Sequence, residues 1–273
     1  MILVTGANGN LGAAALAALR ARGIAATGGS RTPGEGMRRL DFDDHESLDL
    51  AGVSTLVLVS AGYAEDDEVV ARHTAVLDAA VRDGVGHVVY TSLTTAGDHL
   101  GFALAHRATE RLVRASGLPW TILRNGLYAE LFGGLLMWAG GEVESAFGDG
   151  ALAAVAREDL AEVAATVAAD PAPHDGRVYD LVGTPVTAGQ VADRLGVAHR
   201  TVSLGEYRRR LLDKTPGLLP FQPPMLASIA TGIRHGFLDG TAPDLTDLLG
   251  RTARDPLATA VAAASAARPV ARA

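Results

Sequence analysis

The sequence predicts an α/β fold in which a doubly wound parallel sheet is joined to a smaller, mostly helical C-terminal lobe. Through residues 1–125, apolar runs of strand length alternate with amphipathic segments of helix length, which is typical of consecutive βαβ units. Beyond Asn125 helical segments dominate, with short strand candidates between them. We therefore expect a sheet-bearing core over residues 1–125. Residues 126–273 should return one strand to the sheet and otherwise form the lobe.

The predicted strands are short apolar runs bounded by turn or helix signals. The first begins at Ile2, and the last is the strand expected to return to the sheet. In chain order they are Ile2–Thr5, Ala25–Gly28, Arg38–Asp41, Thr55–Val59, His87–Thr91, Trp120–Leu123 and Arg177–Val182.

Helices are predicted where apolar residues recur at helical spacing. The proline-rich stretch Pro216–Pro224 is predicted to be an irregular connector. The alanine-rich tail Ala260–Ala273 is either a short helix or frayed. The predicted helices cover Leu11–Leu19, Glu68–Arg82, Ala103–Ala115, Met225–His235 and Leu245–Leu249.

Composition restricts the class of protein. Hydrophobic residues make up 48% of the 273 residues, which is enough for a sizeable core and argues against disorder. The formal net charge of -7 argues against general nucleic-acid binding, and the absence of cysteine excludes disulfides and thiolate metal sites. The sequence shows neither a signal peptide nor a membrane-spanning run, so we expect a cytoplasmic protein.

The segment Gly6-Ala7-Asn8-Gly9-Asn10-Leu11-Gly12 lies between the first predicted strand and the first predicted helix. Gly6, Gly9 and Gly12 permit a tight turn and a close approach of the backbone to a pyrophosphate at the helix N-terminus. An ordinary glycine-rich turn is the alternative, but the strand–turn–helix context favours a dinucleotide and a Rossmann-type sheet. The spacing G-x-x-G-x-x-G resembles that of the short-chain dehydrogenase/reductase superfamily.

The end of the second predicted strand indicates which dinucleotide binds. A carboxylate about 20 residues after the glycine loop would hold the ribose 2′-hydroxyl of NAD, but Arg31 lies there, 19 residues after Gly12. A guanidinium can bind a 2′-phosphate, with Ser30 as a second donor, so we predict NADPH rather than NADH. The alternatives are that Arg31 is a solvated loop residue, or that Arg38 or Arg39 shares or takes over the role.

The third predicted strand ends in an acidic segment. In this fold that end faces the adenine, so Asp41 and Phe42 are predicted neighbours of the adenine ring. Capping of a following helix by Asp43 or Asp44 is an equally good interpretation, and the two can hold together.

The usual catalytic pair of short-chain dehydrogenases cannot be found in this sequence. That pair is Tyr-x-x-x-Lys, in which the lysine lowers the tyrosine pKa so that the phenol can donate a proton. Lys214 is the only lysine, and Arg210 stands four positions before it. Ordinary ketone or alcohol chemistry would therefore lack its usual acid.

Motifs spread over almost the whole chain point to a narrower group. In chain order they are Thr5–Gly12, Tyr90-Thr91-Ser92-Leu93, His106 with Thr109-Glu110-Arg111, Thr121–Glu130, Arg157-Glu158-Asp159-Leu160-Ala161 and Leu248-Leu249-Gly250-Arg251. Together they resemble the NmrA-like atypical short-chain dehydrogenases, and among these the branch of type 2 NADPH:quinone oxidoreductases and triphenylmethane reductases.

The resemblance implies an NADPH-binding fold with the nicotinamide over the carboxyl ends of the strands. It implies that the loop Val59–Gly62, through Ser60 and Ala61, lines the cofactor after the fourth strand. Thr91 and Ser92 would flank the nicotinamide after the fifth strand.

The resemblance also assigns the substrate side. It places His106 near the reacting carbon, and Arg124, Asn125, Gly126 and Tyr128 around the substrate after the sixth strand. His106 and Tyr128 are thus the predicted catalytic residues, and Asn125 is a further predicted cofactor contact.

Structural alternatives compete with these roles. Thr91 and Ser92 could satisfy strand-end backbone groups, and His106 could lie on a helix surface. Arg124 could pair with an acid such as Glu110 or Glu130. The last group could form core rather than an apolar slot for a flat substrate, and it consists of Tyr128, Leu131, Phe132 and Trp138.

The reaction is predicted from the missing acid. A quinone is easily reduced, and the resulting hydroquinone anion needs only hydrogen bonds, so quinones, cationic dyes or conjugated enones suit this chain better than simple ketones. We predict an NADPH-dependent reductase of a flat electrophile, covered by the C-terminal lobe, acting as a monomer or homodimer without nucleic-acid or membrane partners. A non-catalytic NADP(H) sensor and a biosynthetic reductase or isomerase for one secondary metabolite remain open alternatives.

Overall fold

The structure is a computed structural model that describes residues 1–61, 64–214 and 217–269. Its strands are β1 (Ile2–Val4), β2 (Ala26–Ser30), β3 (Arg38–Arg39), β4 (Thr55–Val59), β5 (His87–Leu93), β6 (Trp120–Asn125), β7 (Met137–Ala139), β8 (Glu142–Ser145), β9 (Ala151–Ala154), β10 (Arg177–Leu181), β11 (Thr184–Thr187) and β12 (His199–Thr201). Its α-helices are α1 (Asn10–Ala21), α2 (Asp66–Arg82), α3 (Ala103–Ala115), α4 (Ala129–Gly134), α5 (Arg157–Ala169), α6 (Ala188–Leu195), α7 (Leu204–Lys214), α8 (Gln222–Arg234), α9 (Asp244–Leu249) and α10 (Pro256–Ala266).

Within the described residues, seven strands form one sheet in the order β3-β2-β1-β4-β5-β6-β10, and every neighbouring pair is parallel. This doubly wound order confirms the predicted fold, and each of the predicted strands is a strand of this sheet. The order reverses between β1 and β4, so the connections there leave toward opposite faces. A crevice therefore opens at the carboxyl ends of these two strands, where ligands bind in such sheets.

Helices cover both faces of the sheet. On one face α1 and α5 pack through residues such as Leu16 and Val163. On the other face α2 and α3 pack through residues such as Val76 and Val113. Strands covered on both sides can be apolar along their length, and the centre of β4, Leu56–Leu58, is accordingly completely buried.

The chain leaves the sheet after β6 and returns to it with β10, which pairs with β6 along its whole length. The Asp180 carboxylate on β10 accepts hydrogen bonds from the Thr94 hydroxyl at 2.6 Å and from the Thr95 N–H at 3.3 Å. β10 therefore also fixes the segment that follows β5.

In its described residues the lobe contains two small sheets as well as helices, so it is less helical than the sequence predicts. The sheets are β7-β8-β12 and β9-β11. Phe132 and Phe147 stack at its centre with ring centroids 5.2 Å apart. Gly133 of α4 lies so close to the Ala260 carbonyl of α10 that a Cβ could not fit between them. The alanine-rich tail is thus a packed helix as far as Ala266, and residues 270–273 of the predicted tail lie outside the described ranges.

The proline-rich connector is shorter than predicted. Helix α8 already begins at Gln222, and Pro223 and Pro224 lie in its first turn. Proline is tolerated there because the first N–H groups of a helix have no partner within it. Pro216, the first residue of the predicted connector, lies outside the described residues. Among the helices of the described ranges, none is long and apolar enough to cross a membrane.

Candidate active site

The glycine loop joins β1 to α1 across the carboxyl edge of the sheet. Gly6 has a φ of +60°, a left-handed conformation that favours glycine. The Gly9 N–H donates to the Gly6 carbonyl at 2.8 Å. A Cβ at Gly12 would overlap the Gly6 backbone, so only glycine lets the helix start this close to the strand. Asn10, exposed, and Leu11, buried, are the first residues of α1.

The N-terminus of α1 has the properties of an anion site. Gly9 occupies the N-cap position, and no described side chain caps the helix. In α6, by contrast, Thr187 and Gln190 form a reciprocal capping box. Uncapped N–H groups and the helix dipole both favour a negative charge. The loop therefore fits the pyrophosphate of a dinucleotide.

Asn8 ties the glycine loop to the end of β2. Its Nδ2 donates to the Ser30 hydroxyl and to the Thr32 carbonyl, both at 2.8 Å. Arg31 lies between these two residues and is exposed. It forms no hydrogen bond or ion pair with another residue of the described ranges. Its guanidinium therefore has no bonded partner to give up at the end of β2, although its charge helps to lower the pKa of Asp43.

Arg38 and Arg39, the alternative arginines, are engaged elsewhere. The Arg38 guanidinium donates to the carbonyls of Asp49 at 3.3 Å and Ala51 at 3.1 Å. Arg39 donates to the Asp44 carboxylate at 2.7 Å. Either would have to give up these partners in order to bind a phosphate.

The segment after β3 supports the capping interpretation. Asp44 is the N-cap of the 3-10 turn His45–Ser47 and accepts a backbone N–H of that turn at 3.2 Å. The Asp41 carboxylate accepts the Asp43 N–H at 3.2 Å, and Phe42 packs, partly buried, beside the α2–α3 face. Capping by Asp44 is confirmed, whereas contact of Asp41 and Phe42 with an adenine stays a prediction.

Ser60 follows β4 and Asn125 ends β6, so both lie at the carboxyl edge on either side of β5. Each has a buried polar atom, Oγ of Ser60 and Oδ1 of Asn125, without a hydrogen-bond partner in the described parts of the chain. Leaving such an atom unpaired costs about 1–3 kcal/mol, so a ligand that pairs with it is favoured. Together with the glycine loop, these atoms fit a dinucleotide that runs along this edge. Gly62 of the predicted cofactor loop lies outside the described residues.

Thr91 and Ser92 lie inside β5 rather than after it, because this strand continues to Leu93. The Thr91 hydroxyl oxygen accepts the Ser60 N–H at 3.2 Å. The Ser92 hydroxyl donates to the Glu110 carboxylate at 2.7 Å. Both side chains are buried. Thr91 binds a backbone group, as the structural alternative predicts, whereas Ser92 binds a side-chain carboxylate. Their contact with a nicotinamide stays a prediction.

A buried ion-pair cluster, the Glu110 cluster, consists of Glu110, Ser92, Arg107 and Arg124. The Glu110 side chain is only 2% exposed. Arg124 binds its two oxygens at 2.8 and 2.7 Å, and Arg107 donates to one of them at 2.8 Å. Burial acts to raise the pKa of Glu110, but hydrogen bonds from Arg124 and Ser92 and the charge of Arg107 hold it below its usual value. Arg124 is thus occupied by an ion pair, which confirms the structural alternative for this residue.

His106 lies on α3 where the sheet meets the lobe. Its Nδ1 is 3.1 Å from the Tyr90 hydroxyl. Its ring forms a T-shaped contact with Phe102, which packs against the lobe, at a centroid distance of 6.2 Å. Burial, followed by the charge of Arg107, lowers the pKa of His106 to about 4. His106 is therefore neutral at pH 7. Its ring is partly buried and bonded to Tyr90, and its catalytic role stays a prediction.

The aromatic residues after β6 form packing contacts rather than one slot. Phe132 is completely buried, and the Trp138 indole N–H donates to the Ala264 carbonyl of α10 at 2.9 Å. Tyr128 immediately precedes α4, and the Arg157 guanidinium lies over its ring at 4.9 Å from the centroid. The core interpretation is therefore confirmed for Phe132, and Tyr128 stays a predicted substrate contact.

Sequence reasoning assigns no role to two residues that shape this edge, His73 and Tyr90, although Tyr90 stands in one of the motifs that carry the resemblance. His73 is completely buried in α2 and binds the loop after β4. Tyr90 is completely buried in β5 and binds His106. The signal for His73 is its place among the apolar positions of an amphipathic helix, where a polar side chain must find partners.

Three features define a dinucleotide-binding protein of the Rossmann class. They are the doubly wound sheet, the glycine loop against an uncapped helix, and the unpartnered polar atoms at the carboxyl edge of the sheet. The chain belongs to the NAD(P)H-binding family, whose profile matches residues 6–171. The predicted resemblance to the NmrA-like reductases is confirmed.

Relatives are similar over nearly the whole chain. Quinone oxidoreductase 2 of Escherichia coli is 32% identical over 276 residues, which cover 92% of this chain and 94% of that protein. The (4-alkanoyl-5-oxo-2,5-dihydrofuran-3-yl)methyl phosphate reductase of Streptomyces griseus is 32% identical over 282 residues, 93% of this chain and 94% of that protein. The structure of Citrobacter sp. triphenylmethane reductase complexed with NADP(H) has a TM-score of 0.85 and 28% identity, covering 98% of this chain and 99% of that one.

Replacement of Glu110 by glutamine should destabilise the fold strongly, because Arg107 and Arg124 would lose the buried charge that they pair with. We expect the free energy of unfolding, measured by urea titration, to fall by about 3–5 kcal/mol. The control is Glu158→Gln, which removes an exposed partner of Arg254. This substitution should change the free energy of unfolding by less than about 1 kcal/mol. Equal effects of the two substitutions would contradict a structural role for the Glu110 cluster.

The lowered pKa of His106 predicts a loss of stability in acid. In the unfolded chain a histidine takes up a proton below about pH 6.5, whereas folded His106 does so only at about pH 4. Between these values the unfolded state binds the additional proton, so the free energy of unfolding should fall as the pH is lowered, by about 1.4 kcal/mol per pH unit for this residue. The free energy of unfolding is measured by urea titration at several pH values from pH 7 to pH 4.5. When it is plotted against pH, the slope should be shallower by that amount in His106→Gln than in the wild type. An unchanged slope would contradict the low pKa.

Proposed function

We propose that the protein is an NADPH-dependent reductase that transfers hydride to a flat electrophilic acceptor such as a quinone. The observation that carries this proposal is the neutral His106, bound through Nδ1 to the buried Tyr90 hydroxyl at the boundary between sheet and lobe. This pair offers an acceptor a hydrogen bond but no strong acid. The lobe, including Tyr128, would cover the acceptor.

The cofactor would lie along the carboxyl edge of the sheet. The glycine loop and the α1 N-terminus would hold its pyrophosphate, Ser30 and Arg31 its 2′-phosphate, and Asp41 and Phe42 would lie beside its adenine. When bound, NADPH supplies the hydride. The availability of Arg31, and the NADP(H) in the Citrobacter reductase structure, support NADPH over NADH.

The nicotinamide half would lie where the strands β4, β5 and β6 end. Ser60 Oγ and Asn125 Oδ1 have no partners in the described chain, and a carboxamide could supply both a donor and an acceptor to them. Ala61, Thr91 and Ser92 would form the surrounding wall. Each role is a proposal that rests on the position of these residues at the edge.

His106 would act on the acceptor through its other ring nitrogen. If Nδ1 accepts the Tyr90 hydroxyl proton, the neutral imidazole carries its hydrogen on Nε2. This N–H can donate to an acceptor oxygen on which negative charge develops. Burial raises the pKa of Tyr90, so this phenol is not a ready source of protons. Acceptors that are stable as anions after reduction, such as quinones, suit this arrangement.

The names of two relatives support a conjugated acceptor, one a quinone oxidoreductase and the other a triphenylmethane reductase. The Streptomyces griseus relative is a reductase of a dihydrofuranone phosphate, and it favours a second candidate function, reduction of one biosynthetic enone. Both functions use the same cofactor edge, and they differ in which acceptors are reduced.

The proposal predicts that the protein oxidises NADPH when a quinone or a conjugated enone is present. The reaction is monitored by the loss of NADPH absorbance. His106→Ala should lower kcat by roughly 100-fold, because one hydrogen-bond donor to developing charge is lost. His235→Ala, at an exposed histidine after α8, is the matched control and should leave kcat unchanged. Tight binding of NADPH without turnover of any acceptor would favour the non-catalytic sensor. Equal activity of the two variants would remove His106 from the catalytic residues.

Arg31→Ala should weaken NADPH binding by roughly 10- to 100-fold while leaving NADH binding nearly unchanged, because a charged hydrogen bond to the 2′-phosphate contributes about 1.5–3 kcal/mol. Dissociation constants for both cofactors are measured by titration without an acceptor. Arg39→Ala removes an exposed arginine that pairs with Asp44 and serves as the control. If Arg39→Ala has the larger effect on NADPH, the 2′-phosphate is bound there instead.

A further inference from the structure

His73 is completely buried, although it belongs to α2 and stands outside every motif discussed so far. Its two ring nitrogens both have partners. The Ala61 N–H lies 3.0 Å from Nε2, and the Thr109 hydroxyl lies 2.7 Å from Nδ1. The ring thus bridges the segment after β4 and helix α3.

The partners fix the tautomer of this histidine. The backbone N–H of Ala61 can only donate, so Nε2 must be the acceptor and carries no hydrogen. The hydrogen of a neutral ring is then on Nδ1, which donates to the Thr109 oxygen. The Thr109 hydroxyl in turn donates to the Ala105 carbonyl at 2.8 Å. Donors and acceptors therefore alternate without conflict from Ala61 to the backbone of α3.

The protonation state of His73 is consistent with this chain of bonds. Burial, followed by the charges of His106 and Arg72, lowers the pKa of His73 to about 3. A protonated ring would point an N–H at the Ala61 N–H, and two donors would face each other. The bridge therefore holds as long as the ring is neutral, which includes pH 7.

The bridge lies directly beside the proposed site. The N–H of Ser60, the residue before Ala61, donates to the Thr91 hydroxyl oxygen at 3.2 Å. The rings of Tyr90 and His73 form a T-shaped contact with a centroid distance of 5.7 Å, and Tyr90 binds His106. The segment Ser60–Ala61 is thus fixed by two side chains, one from β5 and one from α2.

We propose that His73 is a positioning residue, whose unprotonated Nε2 holds the Ala61 N–H so that the segment Ser60–Ala61 has the conformation in which it binds the cofactor. This inference rests on the proposed function in one respect, the contact of that segment with NADPH. His73 itself touches neither the cofactor nor the acceptor in this role, so it should affect cofactor affinity and not the turnover of bound cofactor.

Two substitutions separate the two hydrogen bonds of His73. In His73→Gln the side-chain oxygen can replace Nε2 as the acceptor for Ala61, but the bond to Thr109 is lost. In His73→Asn the shorter amide can replace Nδ1–H as the donor to Thr109, but the bond to Ala61 is lost. Both variants are neutral and polar, so each is the control for the other.

The dissociation constant for NADPH, titrated without an acceptor, is the first readout. We expect it to rise roughly tenfold in His73→Asn, the equivalent of one hydrogen bond, and less than about threefold in His73→Gln. With saturating NADPH, kcat should stay within about threefold of the wild type in both. Equal dissociation constants in the two variants, or a loss confined to kcat, would overturn the proposal.

Nuclear magnetic resonance gives a readout that does not need the cofactor. Long-range ¹H–¹⁵N spectra should show Nδ1 protonated and Nε2 unprotonated at His73, and exchange of the Ala61 amide should be faster in His73→Asn than in His73→Gln. A hydrogen on Nε2, or equal exchange in both variants, would contradict the bridge.

A second pair of variants covers the case in which His73→Asn does not fold. Thr109→Val removes the partner of Nδ1–H with little change in shape and should weaken NADPH binding severalfold, whereas Thr109→Ser should restore it. Equal binding by both Thr109 variants would overturn the proposal. If the wild type binds NADPH but reduces no acceptor, only the reductase function fails. If it binds no dinucleotide, the inference fails with it.

Discussion

The carboxylate of Glu110 is the interaction on which the carboxyl edge of this fold depends. It joins three elements, because Ser92 belongs to β5, Arg107 to α3 and Arg124 to β6. A buried carboxylate is tolerated only when opposite charges and hydrogen bonds replace the water that it loses. The strand ends and the helix are therefore held at fixed separations, and His106, one position before Arg107, takes its place from them. The polar atoms proposed to contact cofactor and acceptor rest on this frame.

The buried side chains of this edge are polar but mostly uncharged. His73 and His106 are neutral at pH 7, and Tyr90 keeps its proton because burial raises its pKa. The Glu110 carboxylate is compensated by Arg107 and Arg124, and Arg107 also pairs with the Asp98 carboxylate at 2.6 Å. Such an edge orients and polarises bound molecules by hydrogen bonds and contains few groups that exchange protons readily, which is consistent with hydride chemistry on an acceptor that needs no strong acid.

The sequence predicts the parts of this structure that local patterns determine. The glycine loop can be recognised because Gly6 and Gly12 have conformational requirements that only glycine meets, and the strands because their apolar runs are continuous. Pairing between elements is different. The sequence offers Glu110 and Glu130 as acids for Arg124 but does not choose between them, and the apolar spacing of α2 does not show that His73 bridges two elements. Phe132 and Tyr128 are both aromatic and close in sequence, yet only the three-dimensional packing shows that Phe132 is core.

The return of β10 to the sheet has a consequence for how the chain acquires its fold. β6 and β10 are neighbours in space, but the entire segment that carries α4 and α5 separates them in sequence. Contacts of such long range form late, because the loop between them must close first. Until β10 arrives, β6 is an open edge that can pair with strands of other molecules. We therefore expect the pairing of β6 with β10 to be a step at which folding competes with aggregation, and a chaperone that shields a strand edge to act there.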